Sequence, residues 1–343
     1  MKKSTIKIAG FMMLAMLLGG HSTASAQNFD LNGDGAVDVA DISALITHMA
    51  GNPQGGLFAF RQQTNATKLG ESAGKAVDLG LPSARKWADK NLGYSKDQNY
   101  GAYFAWGGRT AVIAKGKNYV FDAGTILEDK KTAFTWKNYE WISEGGTTWR
   151  DVCKYTIEDG AEDAWWYGYG SYGDATFCGD GIDVLEPEDD AATFHWGGKW
   201  RMPYTHEIEE LLEYTDQEWD TDKHELRNGK AAKDATGIWG CWFKGKNPGR
   251  DGKDWSKAEI FLPAAGSAEY QYVEYRDGQY MFPRGKYWGK EVDHKNGHFG
   301  HQPTSSATIL SINRKVCCED EAEAMVSFYE RQYGLSIRPV MGD

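Results

Sequence analysis

Trp196-Gly197-Gly198-Lys199-Trp200-Arg201-Met202-Pro203 constrains this chain more than any other stretch. Two large indoles flank a Gly-Gly-Lys turn, and tryptophans of this kind bury large areas and need a partner for the ring N–H. The Met-Pro step leads into Tyr204–Tyr214, an acidic, leucine-bearing segment that reads as a short helix. Trp196, Trp200 and Arg201 are therefore structural in this reading. Arg201 is placed to hydrogen-bond loop carbonyls, or to pair with Glu207 or Glu210 one or two turns on.

The rest of the chain is built from the same materials. There are 41 Gly, 14 Trp, 18 Tyr and 14 Phe, a mixture that suits many short strands joined by irregular loops and does not suit a helical bundle. Strand candidates are Ala76–Leu79, Tyr100–Gly107 (aromatic and small residues alternating, as in a half-buried strand), Gly237–Phe243, Ala258–Leu262, Ala307–Ile312 and the closing Tyr333–Val340. Residues 267–304 read as loop-rich. Glu186, Glu188, Asp189 and Asp190 read as a solvated acidic turn.

The N-terminus is expected to be a cleaved export signal spanning residues 1–26. Lys2, Lys3 and Lys7 precede the apolar run Ile8–Leu18, and Ala24-Ser25-Ala26 is a small-residue cleavage site. The apolar run is too short for a comfortable membrane span. The expectation is export to the periplasm, the cell surface or the medium, with no transmembrane segment. Net charge is −11, and the only charged residues of the leader are three lysines, so its removal leaves a still more acidic chain. That balance argues against nucleic acid and anionic membranes as partners.

Residues 27–51 carry the clearest chemistry. Asp30, Asn32, Asp34, Asp38 and Asp41 place side-chain oxygens at loop positions 1, 3, 5, 9 and 12, and Ala36 offers its carbonyl at position 7. Gly35 permits the sharp turn, and Ile42, Leu45, Ile46 and Met49 follow at helical spacing. The expected ligand is Ca2+. Residues 52–74, with Pro53, paired glycines, Gln, Asn and Thr, read as a linker, and the main domain is expected over 75–343.

The loop at 30–41 resembles a type I dockerin repeat, in which Asp commonly closes the loop as Asp41 does here. That resemblance implies a small EF-hand-like element. Complete dockerins pair two repeats and dock cohesin modules of polysaccharide-degrading assemblies, whereas one repeat is visible in this chain. In the main domain, Val-Asp-Leu-Gly-Leu-Pro-Ser (77–83), Lys-Trp-Ala (86–88), Tyr-Phe-Ala-Trp-Gly (103–107), Asp-Ala-Ala (190–192), Trp-Gly-Gly-Lys-Trp-Arg-Met-Pro (196–203), Phe-Leu-Pro-Ala-Ala-Gly (261–266) and Leu-Ser-Ile-Arg-Pro-Val (335–340) occur in order. The set resembles the Fibrobacter succinogenes major paralogous domain, the FISUMP family of exported and surface proteins. The Arg-Met-Pro-helix segment and the closing Arg-Pro-Val also resemble formylglycine-generating-enzyme-like domains. The fold these resemblances imply is α+β and C-type-lectin-like, with short strands, long irregular loops and a central short helix.

The candidate recognition site is the aromatic insertion Trp165, Trp166, Tyr167, Tyr169 and Tyr172, where flat rings on a glycine-rich loop can stack on sugar faces. No spacing supplies a catalytic signature: His206-Glu207 lacks the second histidine of a zinc protease motif, and Cys317 and Cys318 are adjacent. The sequence thus points to a non-enzymatic exported binding or adhesion protein, with a glycan or a surface protein as partner. The alternatives are a component of a polysaccharide-degrading assembly and a structural surface subunit of fimbria-like type.

Overall fold

The computed structural model describes residues 66–95, 99–114, 125–126, 134–142, 145–149, 152–156, 181–220, 238–270, 272–274, 284–293, 305–314 and 322–342. All belong to the second of the two units into which the chain divides, Gln54–Asp343. In chain order the early strands are β1 (Ala76–Asp78), β2 (Lys86–Ala88) and β3 (Thr125–Ile126). Then come helix α1 (Ala191–Trp196), β4 (Trp200–Arg201) and helix α2 (Thr205–Tyr214). They are followed by β5 (Thr215–Asp220), β6 (Gly240–Gly245), β7 (Glu259–Pro263), β8 (Ser267–Glu269) and β9 (Tyr272–Glu274). The closing strands are β10 (Arg284–Val292), β11 (Ser306–Arg314), β12 (Ala322–Glu330) and β13 (Val340–Met341).

These strands pair antiparallel in four small sheets, ordered β1-β2-β13-β4, β10-β11-β12, β3-β9-β8 and β5-β6-β7. The architecture is mixed, mostly short antiparallel strands with few helices. Among the described residues no helix is long and apolar enough to cross a membrane.

Two apolar clusters hold the sheets together. One gathers Trp106, Tyr139, Tyr155, Met202, Trp288, Ile309 and Leu335. The other gathers Leu79, Trp87, Ile208, Leu211, Trp219, Phe243 and Tyr287. Burying aromatic side chains of this size is the main favourable contribution to such a core, each covering about 150–250 Å². Two arginines lie inside it. Arg338 is 1% exposed and donates to Asn91 Oδ1 (2.8 Å), Ala88 O (3.0 Å) and Phe261 O (2.7 Å). Burial pulls its guanidinium down to about 10. Arg331 donates to Tyr139 Oη and to the carbonyls of Tyr155 and Lys154, and lies 4.5 Å from the Trp106 ring centre. Arg338 thus ties β2 to β7, strands of different sheets, and Arg331 ties loop carbonyls at 154–155 to Tyr139.

The helical segment after Pro203 follows from the sequence. Glu207, in the first turn of α2, reaches back to accept from the Tyr204 N–H at 2.9 Å, and Ile208 and Leu211 face the core. The Gly197-Gly198 turn has φ of 65° and 62°, a left-handed region that favours glycine. It brings Trp200 edge-on to Trp196, with ring centres 5.3 Å apart.

Three sequence expectations are corrected. Tyr103, Phe104 and Trp106 are fully buried, and Tyr103 and Phe104 form isolated bridges to Val112 and Leu335 instead of a half-buried strand, because this segment threads between core clusters. Residues 267–304 contain β8, β9 and the nine-residue β10. The lysines and glycines of β10 disguise a strand buried on both faces, in which Lys286 and Lys290 are only 7% and 5% exposed. Finally, Asp189 and Asp190 of the acidic turn are buried.

Candidate functional site

Asp30, Asn32, Asp34, Ala36, Asp38 and Asp41, and the insertion Trp165, Trp166, Tyr167, Tyr169 and Tyr172, lie outside the described residues. Among the described residues no group of three or more His, Cys, Asp or Glu side chains is placed to hold a metal ion.

The sequence features that the structure does contain mostly build the frame. Arg201 donates both terminal nitrogens to Glu207, each at 2.7 Å, one of the two pairings expected for it. Trp196 donates its ring N–H to Glu71 at 2.8 Å, and Leu69 N–H donates to His195 Nδ1 at 3.0 Å. Residues 69–71 are thus tied to α1, and the packed unit reaches N-terminal of Lys75. In the acidic turn, Asp190 caps α1 by accepting from the N–H groups of Ala192 and Thr193. Its other oxygen accepts from Met202 N–H at 2.9 Å, and Lys290 Nζ lies 3.6 Å away. Lys154 Nζ sits between Glu186 (2.6 Å) and Asp189 (2.7 Å). Burial alone would lower this ammonium, but Asp189 and Glu186 outweigh it and hold its pKa above the ordinary lysine value. A protein cation fills this turn.

The surface suited to recognition lies elsewhere, on the β8–β9 ribbon. Register places Ser267 opposite Glu274 and Glu269 opposite Tyr272. Strand alternation puts these four on one face. Ala268 and Val273, on the other face, pack with Tyr103, Val112 and Phe134. Tyr270 closes β8 in the left-handed region, at φ 55°. It is pinned there by reciprocal backbone hydrogen bonds with Phe134, at 2.7 and 3.2 Å. A side chain held at positive φ carries strain that the surroundings must sustain.

The partner of β8 on its other side is Gly334, which exchanges two backbone hydrogen bonds with Ala268 (2.7 and 2.8 Å). A Cβ at position 334 would lie 2.3 Å from the Phe134 ring, so only glycine fits. This contact brings Tyr333 beside Tyr270, with ring centres 6.0 Å apart, and Tyr333 continues to Tyr329 at 5.5 Å. The result is a connected row of three tyrosines, Tyr270, Tyr333 and Tyr329, with Tyr272 placed by register opposite Glu269; Tyr270 and Tyr272 are 58% and 48% exposed.

Beneath the rings sits a polar cluster. The Tyr329 hydroxyl donates to Glu269 Oε1, and Ser267 Oγ donates to the same oxygen at 2.9 Å. Lys286 Nζ lies 3.4 Å from the centre of the Tyr329 ring, 3.4 Å from Ser267 Oγ and 4.0 Å from Glu269 Oε1. Burial pulls the Lys286 ammonium down to about 8, against the opposing influence of Glu269. Burial, and then the charge of Glu269, push the Glu274 carboxyl up. Burial and the adjacent Glu269 carboxylate likewise raise the Tyr329 hydroxyl.

Exposed flat rings beside carboxylates can hold a ligand with one apolar face and several hydroxyl donors. The sequence signal for this face is the run Glu269-Tyr270-Gln271-Tyr272-Val273-Glu274, two tyrosines flanked by two acids. No protein-family profile matches the chain, and neither curated proteins nor solved structures give a match.

Proposed function

We propose that this chain is an exported, calcium-binding surface or secreted protein that binds glycans without catalysing a reaction on them. The observation carrying this reading is the pair of exposed tyrosines, Tyr270 and Tyr272, set beside Glu269 and Glu274. A pyranose ring has one face of C–H groups that packs on an aromatic ring, and hydroxyls at its edge that donate to carboxylates. Large side chains of this kind are normally buried, and their clustered exposure marks an interaction surface.

Three further elements belong to the proposal. The main domain is of the C-type-lectin-like, FISUMP type, supported by the ordered motif set and by the mixture of short antiparallel strands with a central helix. The loop Asp30–Asp41 binds Ca2+, supported by its complete set of oxygen positions. The aromatic insertion Trp165–Tyr172 offers a second set of rings for the same ligand class.

A glycan array on the full chain, followed by calorimetry on the glycans retained, tests the reading. Binding should weaken at least about tenfold in Tyr270→Ala/Tyr272→Ala, a loss of about 1.4 kcal/mol. No binding to any glycan or surface extract would overturn it.

A further inference from the structure

We propose that the tyrosine face selects glycans carrying a free, protonated amine over their N-acetylated, neutral or uronic-acid counterparts. The inference rests on the glycan reading above and specifies the ligand class for that site.

Two physical effects converge on an ammonium. The first is the charge distribution around the exposed rings. Glu269 and Glu274 share a ribbon face with Tyr272, and Glu330, with Glu269, acts electrostatically on Tyr333. Among the described residues, the cations nearby are Arg284, at the start of β10, and Lys286. Lys286 is drawn inward, its ammonium held against the Tyr329 ring and Ser267, and its side chain is 8% exposed. Its ammonium lies beneath the surface, nearest Glu269 and acting more weakly on Glu274. The Glu274 side chain makes no hydrogen bond or ion pair to the described residues, Lys286 acts on it only electrostatically, and a ligand cation would add a counter-charge in direct contact.

The second effect is the rings themselves. An aromatic face carries negative quadrupole density and attracts a cation within about 6 Å of its centre. Tyr329 already uses its face this way toward Lys286. Tyr270 and Tyr272 present the same chemistry to solvent. A sugar stacked on them with its amine toward Glu274 would gain from the ring stack, the ring–cation attraction and the carboxylate together. An N-acetyl group removes the last two, and a uronate replaces them with repulsion from Glu269 and Glu274.

The test uses the full chain and four short probes in mildly acidic, low-salt buffer: glucosamine trimer, N-acetylglucosamine trimer, galacturonate trimer and trilysine. The glucosamine trimer should bind at least about tenfold tighter than its acetylated form. The preference should shrink in Glu274→Gln and at about 1 M salt, where the screening length falls to about 3 Å. Tyr270→Ala/Tyr272→Ala, at exposed positions, should fold as wild type by near-ultraviolet circular dichroism and lose binding of the sugar amine.

Equal or tighter binding of the acetylated or uronate trimer would overturn the amine selection while leaving the glycan reading intact. Trilysine binding as tightly as the sugar amine, unaffected by the tyrosine substitutions, would reduce the effect to general attraction by an acidic protein and also overturn it. Failure of every sugar probe, together with a blank glycan array, would sink both.

Discussion

Replacing Glu207 by Gln tests how the central block is held. The carboxylate is 2% exposed and accepts from Arg201 through both oxygens (2.7 Å each) and from Tyr204 N–H (2.9 Å). Arg85 Nε lies 2.6 Å from Oε1, and the two guanidiniums are only 14% and 17% exposed. Burial alone would raise this carboxyl. The hydrogen bonds from Arg201 and Tyr204, and the charges of Arg201 and Arg85, outweigh burial and hold it below the ordinary glutamate range. The amide keeps the shape but cancels the charge, depriving two half-buried cations of the carboxylate between them.

Breaking a buried ion pair from one side costs about 3–5 kcal/mol. Spread over a domain of this size, at about 2–4 °C per kcal/mol, that lowers Tm by on the order of 10 °C. Calorimetry and urea midpoints measure it. The pH dependence has a definite sign. A carboxylate with a depressed folded pKa contributes stability above its unfolded value of about 4.3, and that contribution is lost as pH falls through the folded value. The Gln variant should therefore lose less stability than wild type on acidification. Exchanging Arg85, Arg201 and Glu207 together for apolar residues should recover part of the loss. A Glu207→Gln cost below about 1 kcal/mol, the size of a solvent-exposed pair, would refute this account of the triad.

Three other outcomes are expected. Gly334→Ala forces a methyl against the Phe134 ring, and overpacking of this kind costs about 1–3 kcal/mol; an unchanged Tm and unchanged aromatic proton shifts would contradict the packing described. Lys286 should titrate near 8 when followed by carbon-13 NMR at Cε. Because its folded pKa is depressed, the unfolded chain holds more protons between about 8 and 10.4, and stability should rise with pH across that window; an ordinary lysine midpoint would count against the buried cluster. Chelation of calcium should expose residues 28–50 to protease while leaving the unit from Gln54 onward intact, and equal cleavage with and without calcium would dismiss Ca2+ binding at Asp30–Asp41.

Legibility in the sequence followed local chemistry. The Gly-Gly turn, the helix after Pro203 and the Arg201–Glu207 pair depend on residues within about two turns of one another, and all were readable. β6, β7 and β11 announced themselves as apolar runs. β10 did not, since its lysines look like surface residues until their alkyl stems and ammonium groups are seen inside the fold. The acidic turn misled for the same reason: Asp189 is buried because Lys154, 35 positions earlier, supplies the counter-charge. The tyrosine face was hidden for a further one. Its acids and tyrosines occur together on a short ribbon, but Tyr270 and Tyr333 meet only because Gly334 lets Phe134 approach and carries Tyr333 to Tyr270. Such contacts between distant segments leave no periodic trace in the chain.

The most direct measurement is a crystal of the full chain grown with the tightest glycan from the array. The account predicts a pyranose ring stacked on Tyr270 or Tyr272 within about 4 Å, with a polar group of the sugar hydrogen-bonded to Glu269 or Glu274. A sugar bound only elsewhere, with these two tyrosines bare, would contradict it.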